Sequence, residues 1–302
     1  MTTQSFHRED GRGVSATIDG VRLLLSVFKL RIGVAIMLCT LAGAAAAPGP
    51  GIGPGALAVL ALAVLLSSCA AGAFNQYAER DLDARMRRTR SRPFVTGRYS
   101  DAWFWPAGIV ALLLGAVAAA ALAANTLAAL FVFLGAFTYG VVYTLWLKRR
   151  TWLNIVIGGL AGSFAVLAGA AAVDPGLTPA PVILAVVLFL WTPPHFWSLA
   201  FAFGEDYRRA GVPMLPVVVG ERAAARVILA HTVVLVAVSL APFLFGMGWL
   251  YLAGAVAGGA VFLRGSLRLV REPGRARAMA NFHASLAQLG LLLLGTLADA
   301  AL

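Results

Sequence analysis

Long apolar runs separated by short polar segments dominate the pattern along this chain. Each run extends for about 20 residues, the length that a helix needs to cross the hydrocarbon layer of a membrane. Counting these runs predicts nine membrane-spanning helices, and therefore an all-α, polytopic membrane protein. The predicted spans are 24–47, 55–77, 102–124, 126–147, 153–173, 181–203, 227–246, 249–267 and 281–301.

The composition supports the same class of protein. Of the 302 residues, 60% are hydrophobic and only 12% are charged, and the mean hydropathy is +0.85. A single soluble domain of this length would be far less apolar. No small-residue cleavage pattern follows the first apolar run, so we expect no removable signal peptide. We predict a cytoplasmic N-terminal segment over 1–23 and one membrane domain over 24–302.

The basic residues predict the orientation of the helices. A net charge of +11 would suit a nucleic-acid partner only if the charge lay on one open surface. All 24 lysines and arginines instead lie in the segments on the N-terminal side of the membrane: five up to residue 31, seven in 80–98, three in 148–150, four in 208–226 and five in 264–277. By the positive-inside rule, this distribution predicts a cytoplasmic N-terminus, an outer C-terminus and no nucleic-acid partner.

One polar stretch, NQYAERDLDARMRRTRSRPFVTGR from Asn75 to Arg98, contains three carboxylates and seven arginines. Residues four apart on a helix are offset by roughly 40°, so Asn75, Glu79 and Asp83 would form one stripe of oxygen donors. We call these three residues the oxygen stripe. A solvated loop whose arginines only determine topology would explain the arginines, but not this spacing.

The oxygen stripe predicts a magnesium site. Mg²⁺ is usually held by a few carboxylates together with phosphate oxygens and water, so we predict binding of a magnesium-diphosphate group. Nearby arginines would neutralise the remaining phosphate charge. The candidates are Arg85, Arg88 and Arg92.

A second acidic region follows the sixth span, within WTPPHFWSLAFAFGEDYRRAGVPMLPVV. Glu205 and Asp206 occupy the place that the oxygen stripe has after the second span, as a duplicated four-helix unit would give, so we predict that both carboxylates join the stripe as catalytic residues and Mg²⁺ ligands. We therefore expect catalytic loops near 75–98 and 204–226. Pro193 and Pro194 lack backbone donors and predict a kink. The adjacent His195 is a buried hydrogen-bonded residue, an acid or base, or a ligand of a substrate metal.

Further candidates lie on the same inner side. Lys29 and Arg31 either snorkel to the interface or reach an anionic substrate, and we favour snorkelling. Lys148 and Arg149 either anchor the interface or hold a diphosphate oxygen. The other candidates for substrate binding are Tyr139, Tyr143, Asn154, Tyr207 and Arg208.

Three blocks, NQYAERDLDARMRRTRSRP, YTLWLKRRTWLNIVIGG and TPPHFWSLAFAFGEDYRRAGVPMLPVV, occur here in order. Through them the chain resembles the UbiA superfamily of intramembrane prenyltransferases over about 25–225, and most closely its haem-farnesylating branch. The resemblance implies a bundle of two four-helix halves plus one helix. It matches Asn75, Glu79 and Asp83 to the first Asp-rich motif, and Glu205 and Asp206 to part of the second.

The resemblance also implies an activity. Members of this branch use Mg²⁺ to transfer a farnesyl group from farnesyl diphosphate to a vinyl group of haem B, making haem O for respiratory oxidases. It implies a bacterial inner membrane location and contact with membrane lipid. Haem A synthase and oxidase assembly factors are candidate protein partners.

Three alternatives stay open. The chain could prenylate another aromatic or tetrapyrrole acceptor. It could be a transporter for an anionic lipid or metabolite, since broken helices and intramembrane charge also mark transport sites, although its cations all lie near one surface. It could also be a non-catalytic oxidase assembly partner, which predicts no loss of function when Asp83 is neutralised.

Overall fold

The computed structural model describes Gly20 and residues 22–302, and the regular structure in those residues is entirely helical. Most of the predicted N-terminal segment 1–23 lies outside the described residues. A π-helix (Thr138–Leu147) follows α5, and a 3₁₀-helix (Ala241–Phe245) follows α11. The α-helices are α1 (Leu30–Ala46), α2 (Pro54–Ala78), α3 (Arg80–Arg85), α4 (Phe104–Ala123), α5 (Thr126–Phe137), α6 (Asn154–Gly158), α7 (Leu160–Val173), α8 (Pro179–Ala202), α9 (Gly204–Arg209), α10 (Leu215–Val219), α11 (Glu221–Leu240), α12 (Trp249–Arg271) and α13 (Arg275–Asp299).

Eight helical segments in the described part of the chain are long and apolar enough to cross a membrane. The all-helical membrane fold is therefore confirmed. Helix α1 has 17 residues, at the lower end of the length that crosses a bilayer, so the count of nine stays a prediction. The eight segments are Pro54–Ala78, Phe104–Ala123, Thr126–Leu147, Asn154–Val173, Pro179–Ala202, Glu221–Phe245, Trp249–Arg271 and Arg275–Asp299.

The first predicted span is interrupted near its start. Residues 22–27 are helical, and a turn at Phe28 and Lys29 separates them from α1. Lys29 has φ 49° and ψ 43°, a left-handed conformation that costs free energy for any residue with a Cβ. The prediction of one continuous helix over 24–47 is therefore wrong at this turn.

Two consecutive prolines do not end α8. Pro193 and Pro194 lie inside a helix that continues to Ala202, although each removes a backbone donor. The prolines leave the carbonyls of Phe189 and Leu190 without amide donors from the helix. The Thr192 hydroxyl donates to the neighbouring Leu188 carbonyl at 3.0 Å. The helix is continuous through both prolines, and the kink stays a prediction.

Close helix packing joins α1 to α7. Added Cβ atoms at Gly43 and Gly169 would collide with the carbonyl oxygens of Val166 and Thr40, respectively. Glycine at both positions therefore allows the two backbones to approach closely, as small residues do between membrane helices. The Thr40 hydroxyl donates to the Ala165 carbonyl at 2.9 Å across the same contact.

Both predicted catalytic loops contain helices. Segment 75–98 includes the end of α2 and all of α3, followed by turns. Segment 204–226 includes α9, α10 and the start of α11. Local backbone hydrogen bonds therefore fix the direction of the polar side chains in both segments.

Candidate active site

A cavity of about 550 Å³, which we call the main cavity, lies at the end of the bundle where α2, the π-helix and α8 carry their polar residues. Its volume is in the range of small-molecule sites. Oxygen donors, cations and aromatic rings line it together. They include Lys29, Asn75, Glu79, Asp83, Arg88, Arg92, Tyr139, Tyr143, Lys148, Thr192, Phe196 and Tyr207.

The oxygen stripe spans the junction of α2 and α3. The Glu79 amide donates to the Asn75 carbonyl at 3.0 Å, and the Asp83 amide donates to the Glu79 carbonyl at 2.8 Å. Helical hydrogen bonding therefore continues across the junction and keeps the three side chains on one face. All three are buried, and all three line the main cavity.

Lys29 reaches the first member of the stripe. Its Nζ donates to Asn75 Oδ1 at 2.5 Å and to the Tyr139 hydroxyl at 3.0 Å. The interpretation of Lys29 as a snorkelling residue is therefore wrong, because the turn before α1 directs its amine into the cavity. The other interpretation from the sequence, that Lys29 reaches toward an anionic substrate, is compatible with this position.

The two carboxylates of the stripe each hold a cation. Lys148 Nζ donates to Glu79 Oε2, and Arg92 Nη1 donates to Asp83 Oδ2 at 2.6 Å. Both carboxylates are nearly inaccessible to solvent, so neither can lose its partner cheaply unless another positive charge replaces it.

The donor set is chemically suited to Mg²⁺. Glu79 Oε1 is buried and has no hydrogen-bond partner among the described residues, so one hard oxygen is available for a cation. No three His, Cys, Asp or Glu side chains in the described chain converge closely enough to hold a metal. The stripe would therefore supply part of a coordination shell, with ligand phosphate and water oxygens completing it.

The second acidic region contributes differently. Asp206 is buried, accepts the Arg88 amide at 3.4 Å and pairs with Arg209 at 3.2 Å. Glu205 is 63% exposed and pairs with Arg208 at 2.5 Å. Neither carboxylate is part of the main cavity wall. The structure thus brings Asp206 to the loop that carries Arg88, and leaves Glu205 and Arg208 at the surface.

Aromatic rings form one wall of the main cavity. Tyr139 and Tyr143 stack with centroids 5.6 Å apart and planes 15° apart. Both lie in the π-helix, which ends with a bond from the Lys148 amide to the Tyr143 carbonyl at 3.0 Å. Such π-helical turns are frequent at functional sites. Tyr207 adds a further ring from α9.

Five of the predicted substrate-binding residues lie outside the cavity wall: Arg85, Arg149, Asn154, His195 and Arg208. Arg149 forms two hydrogen bonds to Asp81 at 2.7 and 2.8 Å. These bonds hold the pKa of the Asp81 carboxyl below its usual value and raise the pKa of Arg149. Arg85 is exposed. Asn154 is buried and donates to the Thr151 carbonyl at 2.5 Å.

His195 also lies away from the main cavity wall. Its ring stacks between Trp191 and Phe282, with centroid distances of 4.1 and 4.4 Å. Its Nδ1 is 2.7 Å from the Ser285 hydroxyl. These contacts are those of a buried hydrogen-bonded histidine, the first of the three interpretations, and they join α8 to α13. A role for His195 in substrate binding stays a prediction.

A second, mostly apolar cavity adjoins the main cavity. We call it the apolar cavity. The two share Lys29, Ile32 and Tyr139, so the charged region borders an apolar region between helices. Its other lining residues are Ile36, Val64, Ser67, Ser68, Ala71, Gly72, Phe131, Val132, Gly135, Ala136, Ala161 and Ala165.

Comparison with known sequences gives clear matches. The model of the UbiA prenyltransferase family matches residues 36–289. Protoheme IX farnesyltransferase 2 of Paramagnetospirillum magneticum is 60% identical over 279 residues, which cover 92% of this chain and 97% of the relative. Protoheme IX farnesyltransferase of Gloeobacter violaceus is 46% identical over 231 residues, which cover 75% of each chain.

Solved structures share the fold at low sequence identity. A structure of digeranylgeranylglyceryl phosphate synthase superposes with a TM-score of 0.76 at 17% identity, over 93% of this chain and 99% of its own. A UbiA homolog from Archaeoglobus fulgidus bound to GPP and Mg²⁺ has a TM-score of 0.70 at 16% identity, over 93% of this chain and 100% of its own. The predicted bundle architecture is therefore confirmed at the level of the fold.

Proposed function

The chain belongs to the UbiA prenyltransferase family, and we propose that it transfers a farnesyl group from farnesyl diphosphate to a vinyl group of haem B, giving haem O. The names of its relatives support this choice of substrates. One structural observation carries the proposal: the main cavity presents paired carboxylates and cations, and it adjoins the apolar cavity at Lys29 and Tyr139. Haem A synthase and oxidase assembly factors stay predicted partners.

The diphosphate would bind among the cations of the main cavity. Asn75, Glu79 and Asp83 would hold Mg²⁺, which when bound neutralises charge on the departing diphosphate. Lys29, Lys148 and Arg92 would then donate to phosphate oxygens, where negative charge develops as the allylic carbon–oxygen bond breaks. Each of these cations already lies within hydrogen-bond reach of the stripe, so little reorganisation is needed.

The farnesyl chain would lie in the apolar cavity. The stacked rings of Tyr139 and Tyr143 would stabilise positive charge on the allylic carbon and help to exclude water until the acceptor reaches it. The vinyl group of haem then forms a carbon–carbon bond to that carbon. Water adds to the resulting porphyrin-side cation and loses a proton, which gives the hydroxyethylfarnesyl group.

The test uses membranes that contain this protein, incubated with labelled farnesyl diphosphate and haem B. We expect the haem pigment to gain the mass of one farnesyl group and one hydroxyl group. Parallel reactions contain 4-hydroxybenzoate or a chlorophyllide as acceptor. Prenylation of either compound with haem returned unchanged would contradict the acceptor, while leaving the family chemistry intact.

Magnesium dependence has its own test. Because the stripe offers only a partial shell of hard oxygens, turnover should fall to background in excess chelator and return when Mg²⁺ is added. Full activity in excess chelator would contradict a metal role.

We also propose that the protein lies in the bacterial inner membrane with its N-terminus in the cytoplasm. All 24 lysines and arginines would then lie on the inner side of the membrane, as the positive-inside rule expects. Cysteines introduced at Ser100 and Leu302 should react with an impermeant reagent from opposite faces. Labelling of both from one face would contradict the topology.

A further inference from the structure

Two guanidinium groups share one aromatic ring beside the main cavity. The Arg88 Cζ lies 5.8 Å from the centroid of Phe203, and the Arg275 Cζ lies 5.1 Å from it. Phe203 forms the junction of α8 and α9, Arg88 follows α3, and Arg275 begins α13. Parts of the chain that are distant in sequence therefore present two positive charges at one place, and Arg88 also lines the main cavity.

The backbone at this cluster is anchored. The Arg88 amide donates to Asp206 Oδ2 at 3.4 Å, and Asp206 lies only three residues after Phe203. The loop that carries Arg88 is thus tied to α9 at the same point where its side chain covers the ring. Contact with a ring face also leaves the in-plane N–H donors of a guanidinium available to an acceptor.

Carboxylates near the cluster are paired with other cations. Among the described residues, the side chains of Arg88 and Arg275 form neither a hydrogen bond nor an ion pair with an acid. The two guanidiniums at Phe203, one of which also lines the main cavity, are therefore available to an anionic ligand. The neighbouring pairs are Glu205 with Arg208, Asp206 with Arg209, Glu272 with Arg277 and Asp83 with Arg92.

We propose that Arg88 and Arg275, held by Phe203, bind the two propionates of the haem acceptor. This inference rests on the proposed function. A planar guanidinium can donate two parallel hydrogen bonds to one carboxylate, so two of them match a ligand with two carboxylates on one edge. The propionates of haem B lie on the opposite side of the macrocycle from its vinyl groups. Holding the propionates at Phe203 turns the vinyl groups inward, toward the reacting carbon.

The test compares haem B with its dimethyl ester, which lacks both carboxylate charges. Arg275→Gln should raise the KM for haem B about tenfold, because charge-assisted hydrogen bonds to one propionate are lost. The KM for farnesyl diphosphate and the kcat should change less than about twofold. The KM of wild-type enzyme should be higher for the ester than for haem B. Arg275→Gln should not raise the KM for the ester further.

Two variants separate binding from folding. Arg268→Gln is the matched control, because Arg268 is exposed on α12 and, among the described residues, does not lie over the Phe203 ring. This variant should keep the wild-type KM for haem B. Arg275→Lys should recover only part of the affinity, because an ammonium cannot donate two parallel bonds. An unchanged KM for haem B in Arg275→Gln would overturn the proposal. An equal rise in the KM for haem B and in the KM for its ester would also overturn it. Failure of wild-type enzyme to farnesylate any haem would instead overturn the proposed function.

Discussion

The two acidic regions have the same local plan but different surroundings. Helices α2 and α8 have 25 and 24 residues, and each begins with a proline in its first turn. One residue separates each of them from a six-residue helix with two acids in its first turn. Yet Glu79 is 1% exposed at the main cavity, whereas Glu205 is 63% exposed beside Arg208.

Spacing explains this difference. The stripe residues are four apart and share one helix face, so Glu79 and Asp83 can both point into the bundle. Glu205 and Asp206 are adjacent, and successive residues on a helix diverge by roughly 100°. Only one of them can therefore face inward, and that one is Asp206. The first region lines the main cavity, whereas Asp206 of the second region accepts a hydrogen bond from the loop that carries Arg88. A metal-binding or catalytic role for Glu205 and Asp206 stays a prediction.

Loss of one stripe carboxylate should have the largest effect. Asp83→Asn should lower turnover by at least about 100-fold, because Arg92 then lacks its ionic partner and the diphosphate site loses a hard anionic donor. The matched control is Asp81→Asn, since Asp81 is about half exposed and outside the cavity. The turnover rate of Asp81→Asn should stay within about threefold of the wild-type rate. Initial rates and Tm check both variants.

Wild-type turnover in Asp83→Asn would contradict the catalytic role of the stripe. It would also favour the alternative of a non-catalytic assembly partner. A lowered rate accompanied by a large fall in Tm would instead indicate that the variant is misfolded. Asp83→Glu then provides the second measurement, because it keeps the charge and should retain more activity than Asp83→Asn.

Removing the Lys29 amine should have the next largest effect. Lys29→Met should raise the KM for farnesyl diphosphate about tenfold, because one charge-assisted donor to the diphosphate is lost at the junction of the two cavities. Arg31→Met is the matched control, since Arg31 is two residues away and exposed. Steady-state kinetics decide the outcome. Equal effects of the two substitutions would mean that both cations only anchor the membrane interface.

The two alanine substitutions in the second acidic region should have unequal effects on kcat/KM for haem B. Asp206→Ala should lower kcat/KM for haem B about tenfold, because the Arg88 amide and Arg209 lose a buried acceptor. Glu205→Ala should change it by less than about twofold, because exposed ion pairs contribute little. The same assay measures both. Equal losses would show that both carboxylates act at the cavity, as the sequence resemblance implies.

Breaking the exposed Asp81–Arg149 ion pair should have the smallest effect. The hydrogen bonds from Arg149 lower the pKa of Asp81 in the folded state, so their stabilisation is present above the unfolded aspartate pKa of about 4. It disappears as the pH falls through the lowered folded pKa. Arg149→Gln should lower Tm by about 2 °C at pH 7. That difference should shrink in acid, and a constant difference would contradict the account.

The sequence by itself determined the membrane class, most of the span boundaries and the shared face of Asn75, Glu79 and Asp83. These features depend on hydrophobic run length and on helical periodicity, and both are local properties of the chain. The prediction of the stripe needed no knowledge of neighbouring helices, because backbone bonds from residue to residue along α2 and α3 align its side chains.

Only the tertiary structure decided which polar residues meet. Lys29 reaches Asn75 across 46 positions, and His195 meets Ser285 across 90. A left-handed turn directs Lys29 inward, while packing of α8 on α13 encloses His195 between two aromatic rings. Such contacts depend on how helices pack rather than on the residues beside them in sequence. For that reason the cations that face the stripe could not be identified from spacing alone.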